Sequence, residues 1–183
     1  MYSYLFRLNV LGKLDIKENF PNDTWLSDNN GGLVTLKQFI EEPLDIKEKI
    51  LRYLSELPLV CILEVNNVKF HLSHSGTLPN ILEKDIWYVS DVNKAQRQII
   101  TWGNPFRDDT YLPISYYSDK CINVFGHVPV QRINKDYSFE IVGANNILNI
   151  DSGCAMFEME KKSPLKTALS CLCLDSMDEY YIT

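Results

Sequence analysis

The sequence predicts a mixed α/β fold, mainly helical over residues 1–57 and mainly strands over 58–183, within one domain. Three observations lead there. Apolar residues recur at helical spacing up to Pro58. Beyond it come short β-branched and aromatic runs bounded by Gly, Asn and Pro. The chain of 183 residues is 45% hydrophobic and 23% charged, enough to bury one sizeable core, which excludes a disordered tail, a collagen-like fibre and a coiled-coil rod.

Taken in order, Tyr4, Leu5, Leu8 and Leu11 fall on one helical face and Gly12 offers a stop. Asn29-Asn30-Gly31-Gly32 is a turn cluster. Leu33, Leu36, Phe39 and Ile40 form the next stripe, ended by Pro43. Asp45 with Glu48 three residues later resembles a capping box, and Ile46, Ile50, Leu51, Leu54 and Leu57 continue one face from there. Strands are expected at 59–65 and 68–74, joined by Asn66-Asn67, because Asn tolerates the positive φ of a two-residue hairpin turn. A helix follows near Val92–Ile100. Further strands are expected at Cys121–Phe125, Tyr137–Val142, Asn146–Ile150, Ala168–Leu174 and Glu179–Ile182.

A net charge of −6 argues against sequence-blind binding to nucleic acid and against an anionic membrane surface. No uncharged apolar run approaches the ~20 residues of a spanning helix, and the first residues do not have the pattern of a signal peptide. The five cysteines, Cys61, Cys121, Cys154, Cys171 and Cys173, lack paired C-x-x-C spacing and sit in apolar runs. They read as core packing in a reducing, cytoplasmic compartment.

Of the three histidines, His74 and His127 close strand-like runs at glycine-containing turns, where sites are commonly built. His71 lies on the opposite strand face from His74, so the two cannot chelate one ion together and His71 reads as structural. Other patterns are weaker. Ser163-Pro164-Leu165-Lys166 has S-x-x-K spacing, but proline disfavours the helical turn. His74-Ser75-Gly76 and Asp151-Ser152-Gly153 lack the nucleophile elbow of a serine hydrolase. Asn29-Asn30-Gly31-Gly32 lacks the lysine of a phosphate loop. Asp108-Asp109 and Glu41-Glu42 read as solvated charge pairs.

In order along the chain stand Trp25 with Gly31-Gly32 and Thr35-Leu36, Phe70-His71-Leu72-Ser73-His74-Ser75-Gly76, Thr101-Trp102-Gly103-Asn104-Pro105, Val124-Phe125-Gly126-His127-Val128-Pro129 and Asn149-Ile150-Asp151-Ser152-Gly153-Cys154. This series resembles the calcineurin-like metallophosphoesterases, in particular the bacterial and phage serine/threonine protein phosphatase branch, which includes the symmetrical diadenosine tetraphosphatases. The resemblance runs from about Trp25 to the end and is carried best by the G-H-x-P and D-x-G-C pair. It implies a four-layer αββα sandwich, with this chain as its C-terminal half. It also implies a divalent metal pair, manganese or iron with zinc, about 4 Å apart, whose bridging hydroxide attacks a phosphomonoester in line. His74 and His127 fall on the two C-terminal metal histidines, ligands of one ion.

The family's D-x-H, G-D-x-x-D-R-G and G-N-H-[DE] motifs do not occur here. They supply the bridging aspartate, the other ion's ligands, the metal asparagine and the catalytic acid histidine. The chain is therefore expected to be N-terminally truncated relative to the family. It should bind Mn²⁺ weakly and turn over no phosphate ester alone, because two neutral imidazoles cannot compensate two divalent ions. No catalytic residue is assigned. No arginine follows Trp102 directly, so Arg107 is the nearest candidate for a substrate phosphate contact, with a surface salt bridge as the alternative. The implied substrate is a phosphoprotein or small phosphate ester. A nucleotide phosphoanhydride and a non-catalytic binding module that keeps the fold are the other readings. A sheet lacking its partner strands would expose apolar surface, so association with a missing half or with itself is expected.

Overall fold

A computed structural model describes residues 32–76, 84–103, 121–134, 136–156 and 166–183. The helix expected at Tyr4–Leu11, the turn at 29–31, Asp108-Asp109, Arg107 and Ser163 lie outside the described residues. The chain forms two compact units, Met1–Leu57 and Pro58–Thr183. Its described residues are mixed α/β, with three α-helices and a six-stranded mixed sheet.

In the first unit, α1 spans Gly32–Glu41 and α2 Leu44–Glu56. Leu36 and Phe39, three apart, are buried on α1, while Ile40 is exposed, so the apolar stripe is narrower than its sequence suggests. The capping box expected at Asp45 is absent. Pro43 occupies the N-cap, and its carbonyl accepts the N–H groups of Ile46 and Lys47 at 3.1 and 3.0 Å. Asp45 is thereby inside the first turn, where its carboxylate takes Lys49 four residues on at 3.3 Å.

In the second unit, β1 (Val60–Val65) and β2 (Val68–Ser73) form the expected hairpin. Asn66 and Asn67 adopt φ of 51° and 63°, the left-handed pair that matches strand twist. A short β3 (Ile86–Trp87) pairs antiparallel with β1. Helix α3 (Lys94–Trp102) starts at Asn93, whose Oδ1 accepts the Gln96 N–H while the Gln96 Oε1 accepts that of Asn93, both at 2.9 Å. Ile100 of α3 packs with Val60 and Val92 in a buried cluster edged by Leu59, Trp87 and Ile99. Burying such side chains, at ~1.5–3 kcal/mol each, fixes the helix on the sheet.

Strands β4 (Ile122–Phe125), β5 (Val142–Ala144) and β6 (Ile147–Asn149) complete the order β3-β1-β2-β4-β6-β5. β2, β4 and β6 run parallel, β1 and β5 run against them, and β3, antiparallel to β1, shares their direction. Both faces at the middle are covered: Phe70 and His71, adjacent on β2, are 1% and 0% exposed.

The strand expected at Tyr137–Val142 is a loop, and β5 begins where that run ends. Tyr137 has φ 58°, and the Asn134 amide donates to Ser138 O at 3.2 Å and Glu140 O at 3.4 Å, withdrawing those carbonyls from a ladder. β7 (Leu169–Leu172) and β8 (Glu179–Ile182) form a separate antiparallel pair. Tyr181 ties it to the loop before β5 by accepting the Ile141 N–H at 2.8 Å and packing on Phe139. Core packing does not hold for all the cysteines. All five are free thiols; Cys121 is buried, Cys61 and Cys173 are partly so, and Cys154 and Cys171 are exposed. Among the described residues no helix is long and apolar enough to cross a membrane.

Candidate functional site

Because β2, β4 and β6 are parallel neighbours, their carboxyl ends open on one edge of the sheet. Each continues into a turn carrying one ionisable residue: His74 after β2, His127 after β4 and Asp151 after β6. The ladder runs on past the strands. Gly126 N–H donates to His74 O at 3.0 Å, and Ile150 N–H to Phe125 O at 2.9 Å.

Buried Asn149 then fastens the turns together. Its Nδ2 donates to Val128 O at 2.8 Å while its Oδ1 accepts the Asp151 N–H at 3.0 Å. Val130 N–H donates to Asp151 O at 2.9 Å, and the Gln131 amide donates to Ser152 O at 2.9 Å. These bonds hold His127 at φ 74°, a left-handed conformation that costs a non-glycine residue about 1–2 kcal/mol.

The two imidazoles meet. His74 Nε2 and His127 Nδ1 are 3.0 Å apart, with ring centroids at 4.8 Å, so one nitrogen donates its N–H to the other. Trp102 stands edge-on to the other ring, its centroid 5.0 Å from that of His127.

The end of α3 is locked to the His74 turn. Ser75 and Gly76 N–H donate to Ile100 O at 3.0 and 3.2 Å, and the buried Ser75 hydroxyl donates to Gly103 O. A Cβ on Gly76 or Gly103 would lie 2.7 or 2.6 Å from Ile99 O, so glycine is what lets the two backbones approach. That contact delivers Trp102 to His127.

His74 is exposed and His127 partly so. Partial burial pushes the pKa of each below its ordinary value; at His127 the His74 ring adds to this, Asp151 opposes it, and Arg132 lowers it further. The two rings are therefore biased toward neutral imidazoles with lone pairs available. His71, on the other strand face, is fully buried, and burial holds its pKa at about 4, so it is a neutral core residue.

The pair's spacing fits one cation. Two nitrogens each roughly 2.1 Å from an ion, at right angles, are about 3.0 Å from each other. The donors do not by themselves make a full site. Among the described residues, no group of three or more His, Cys, Asp or Glu side chains is placed to hold a metal ion. The two histidines selected from sequence are thus brought together, whereas Arg107 is outside the described residues.

Sequence reasoning missed Asp151, Trp102 and Arg132 as parts of this edge. Asp151 carried a signal: Asp151-Ser152-Gly153 follows a strand as His74-Ser75-Gly76 does. Its meaning needs the parallel order of β2, β4 and β6, which sequence spacing does not provide. No protein-family model matches the chain, and no curated protein matches it.

Proposed function

We propose that this chain supplies part of a divalent-metal phosphoesterase centre, with His74 and His127 as two ligands of one ion. The 3.0 Å approach of His74 Nε2 to His127 Nδ1 at the carboxyl ends of adjacent parallel strands carries the reading. The six-stranded sheet would be one sheet of an αββα sandwich, in keeping with the motif resemblance. When bound, a manganese, iron or zinc pair supplies Lewis acidity toward a phosphoryl oxygen and an activated water for in-line attack.

The chain's own residues orient the ligands and shape their surroundings. The left-handed turn at His127 aims Nδ1 at His74, and Trp102 shields one side of the His127 ring. Arg132, exposed and close enough to lower the His127 pKa, offers a counter-charge to a phosphate; Arg107 remains the candidate that the resemblance suggests. Two imidazoles carry no charge to offset the ions, so the centre needs anionic ligands beside them, and the resemblance assigns these to the D-x-H, G-D-x-x-D-R-G and G-N-H-[DE] motifs. The proposed reaction is hydrolysis of phosphoserine or phosphothreonine by the assembled centre.

The test mixes the chain with a separately expressed polypeptide bearing the D-x-H, G-D-x-x-D-R-G and G-N-H-[DE] motifs. Mn²⁺-dependent release of phosphate from a phosphoserine peptide is expected only in the mixture, and is lost with His127→Ala. Hydrolysis of a diadenosine tetraphosphate instead would shift the substrate class. No restored activity would leave a non-catalytic binding module as the better reading.

A further inference from the structure

The β7–β8 pair has two unlike faces. Its inner face is anchored: Ser170 Oγ donates to Ile150 O, while Tyr181 accepts the Ile141 N–H and packs on Phe139. The outer face is bare. Leu169 lies opposite Ile182 and Cys171 opposite Tyr180, which gathers four side chains into one patch. Leu169, Tyr180 and Ile182 are 55%, 57% and 71% exposed, Cys171 is exposed too, and the patch holds no Asp, Glu, Lys or Arg.

The outer edge of β8 is equally open. The Cys173 N–H donates to Asp178 O at 2.9 Å, which sets the alternation of the ladder. Cys171 and Tyr180 then exchange bonds, as do Leu169 and Ile182, whereas the N–H and C=O groups of Glu179 and Tyr181 point away from β7. Among the described residues, no strand and no backbone group takes those outward groups. A sheet of only two strands is marginal unless it gains further strands or a covered face.

We propose that β8 is a dimerisation edge: the β8 strands of two copies of this chain pair antiparallel about Tyr181, joining two hairpins into one four-stranded sheet. Self-complementarity selects a second copy as the occupant. With each Tyr181 opposite its mate, their outward N–H and C=O groups meet, and Glu179 of one copy stands opposite Thr183 of the other. The same register sets Tyr180 of each copy against Ile182 of the other on the bare face, an aromatic–β-branched pair made twice. The two Glu179 carboxylates fall at opposite ends of the pairing, so no like charges meet within it. The contact is smaller than the ~800 Å² each partner gives to a standard interface, so the dimer is reversible and concentration-dependent. Each copy carries a net charge of −6, so salt should strengthen the pairing by screening that repulsion.

The test is sedimentation velocity of the intact chain over a range of concentrations at low and moderate salt. A monomer–dimer equilibrium that tightens as salt rises is expected. Amide hydrogen exchange followed by NMR reads the register. The outward Glu179 and Tyr181 amides should exchange slowly only where the dimer forms, whereas those of Tyr180 and Ile182, bonded to β7, are protected throughout. Ile182→Lys changes a side chain already mostly in water, so the fold is retained. It is expected to raise the dimer dissociation constant by about 10-fold or more, because both pairs beside the dyad are lost together. Leu44→Lys, at an exposed apolar residue of α2, should leave the constant unchanged. A chain that stays monomeric at every concentration overturns the proposal. So does a dimer that Ile182→Lys leaves intact, one that Leu44→Lys weakens as much, or one whose formation does not slow exchange at Tyr181.

Discussion

His74 Nε2 and His127 Nδ1 lie 3.0 Å apart although 53 positions separate the residues in the chain. Parallel pairing of β2 with β4 creates that meeting, and the turns after each strand orient it. Several of the supporting contacts are backbone contacts, which makes their consequences for stability and titration specific.

The approach of α3 to the His74 turn predicts a steep cost for Gly103→Ala. The added Cβ would stand 2.6 Å from the Ile99 carbonyl oxygen, and no side chain can rotate away to relieve it. A loss of about 1–3 kcal/mol is expected, read as a lower denaturant midpoint. Gly126→Ala, whose Cβ would meet Asp151 Cβ nearest, at 3.3 Å, should cost less. Equal costs at the two positions would show that the helix end is not held as described.

Backbone strain at His127 predicts an unusual order among its variants. With φ at 74°, alanine keeps the left-handed penalty and glycine does not. His127→Gly is expected to be more stable than His127→Ala by about 1 kcal/mol in chemical denaturation. The reverse order would mean the turn relaxes once the imidazole is gone.

His71 predicts a pH dependence. Its pKa is 6.5 in a free chain and about 4 in the fold, lowered by burial. Between those values the unfolded chain holds a proton that the folded chain does not, so stability rises from pH 4 toward 6.5 and is lost on acidification through that window. The full contribution is about 3 kcal/mol. The lowered values of His74 and His127 act in the same direction, so the diagnostic is the difference between wild type and His71→Asn. Asparagine does not titrate and should flatten the slope between pH 4 and 6.5. An unchanged slope would remove His71 as its source.

Local chemistry was legible in the sequence wherever one residue type decides the backbone. Asn66-Asn67 announced its hairpin, and both histidines were visible as strand-end residues before glycine or within a glycine–proline turn. The capping box at Asp45 failed because Pro43 already occupies the N-cap, which puts Asp45 two positions inside the helix start. Tyr137–Val142 has strand-like residues, but the Asn134 side chain takes the carbonyls a ladder would need. Cys171 read as core and is exposed: it shares with Leu169 the outward face of β7, which among the described residues pairs with β8 alone. Asp151 was visible as a motif residue, but its place at the same sheet edge as the two histidines depends on which strands are neighbours, and strand order is a long-range property that neither periodicity nor spacing encodes.

The central claim is that His74 and His127 hold one cation between them. Its most direct test is ¹⁵N NMR of the histidine rings during titration with diamagnetic Zn²⁺. Saturable shifts of His74 Nε2 and His127 Nδ1 with a common midpoint are expected, while buried His71 stays in place. Shifts at one ring alone, different midpoints for the two, or no shift at either would contradict a shared ion.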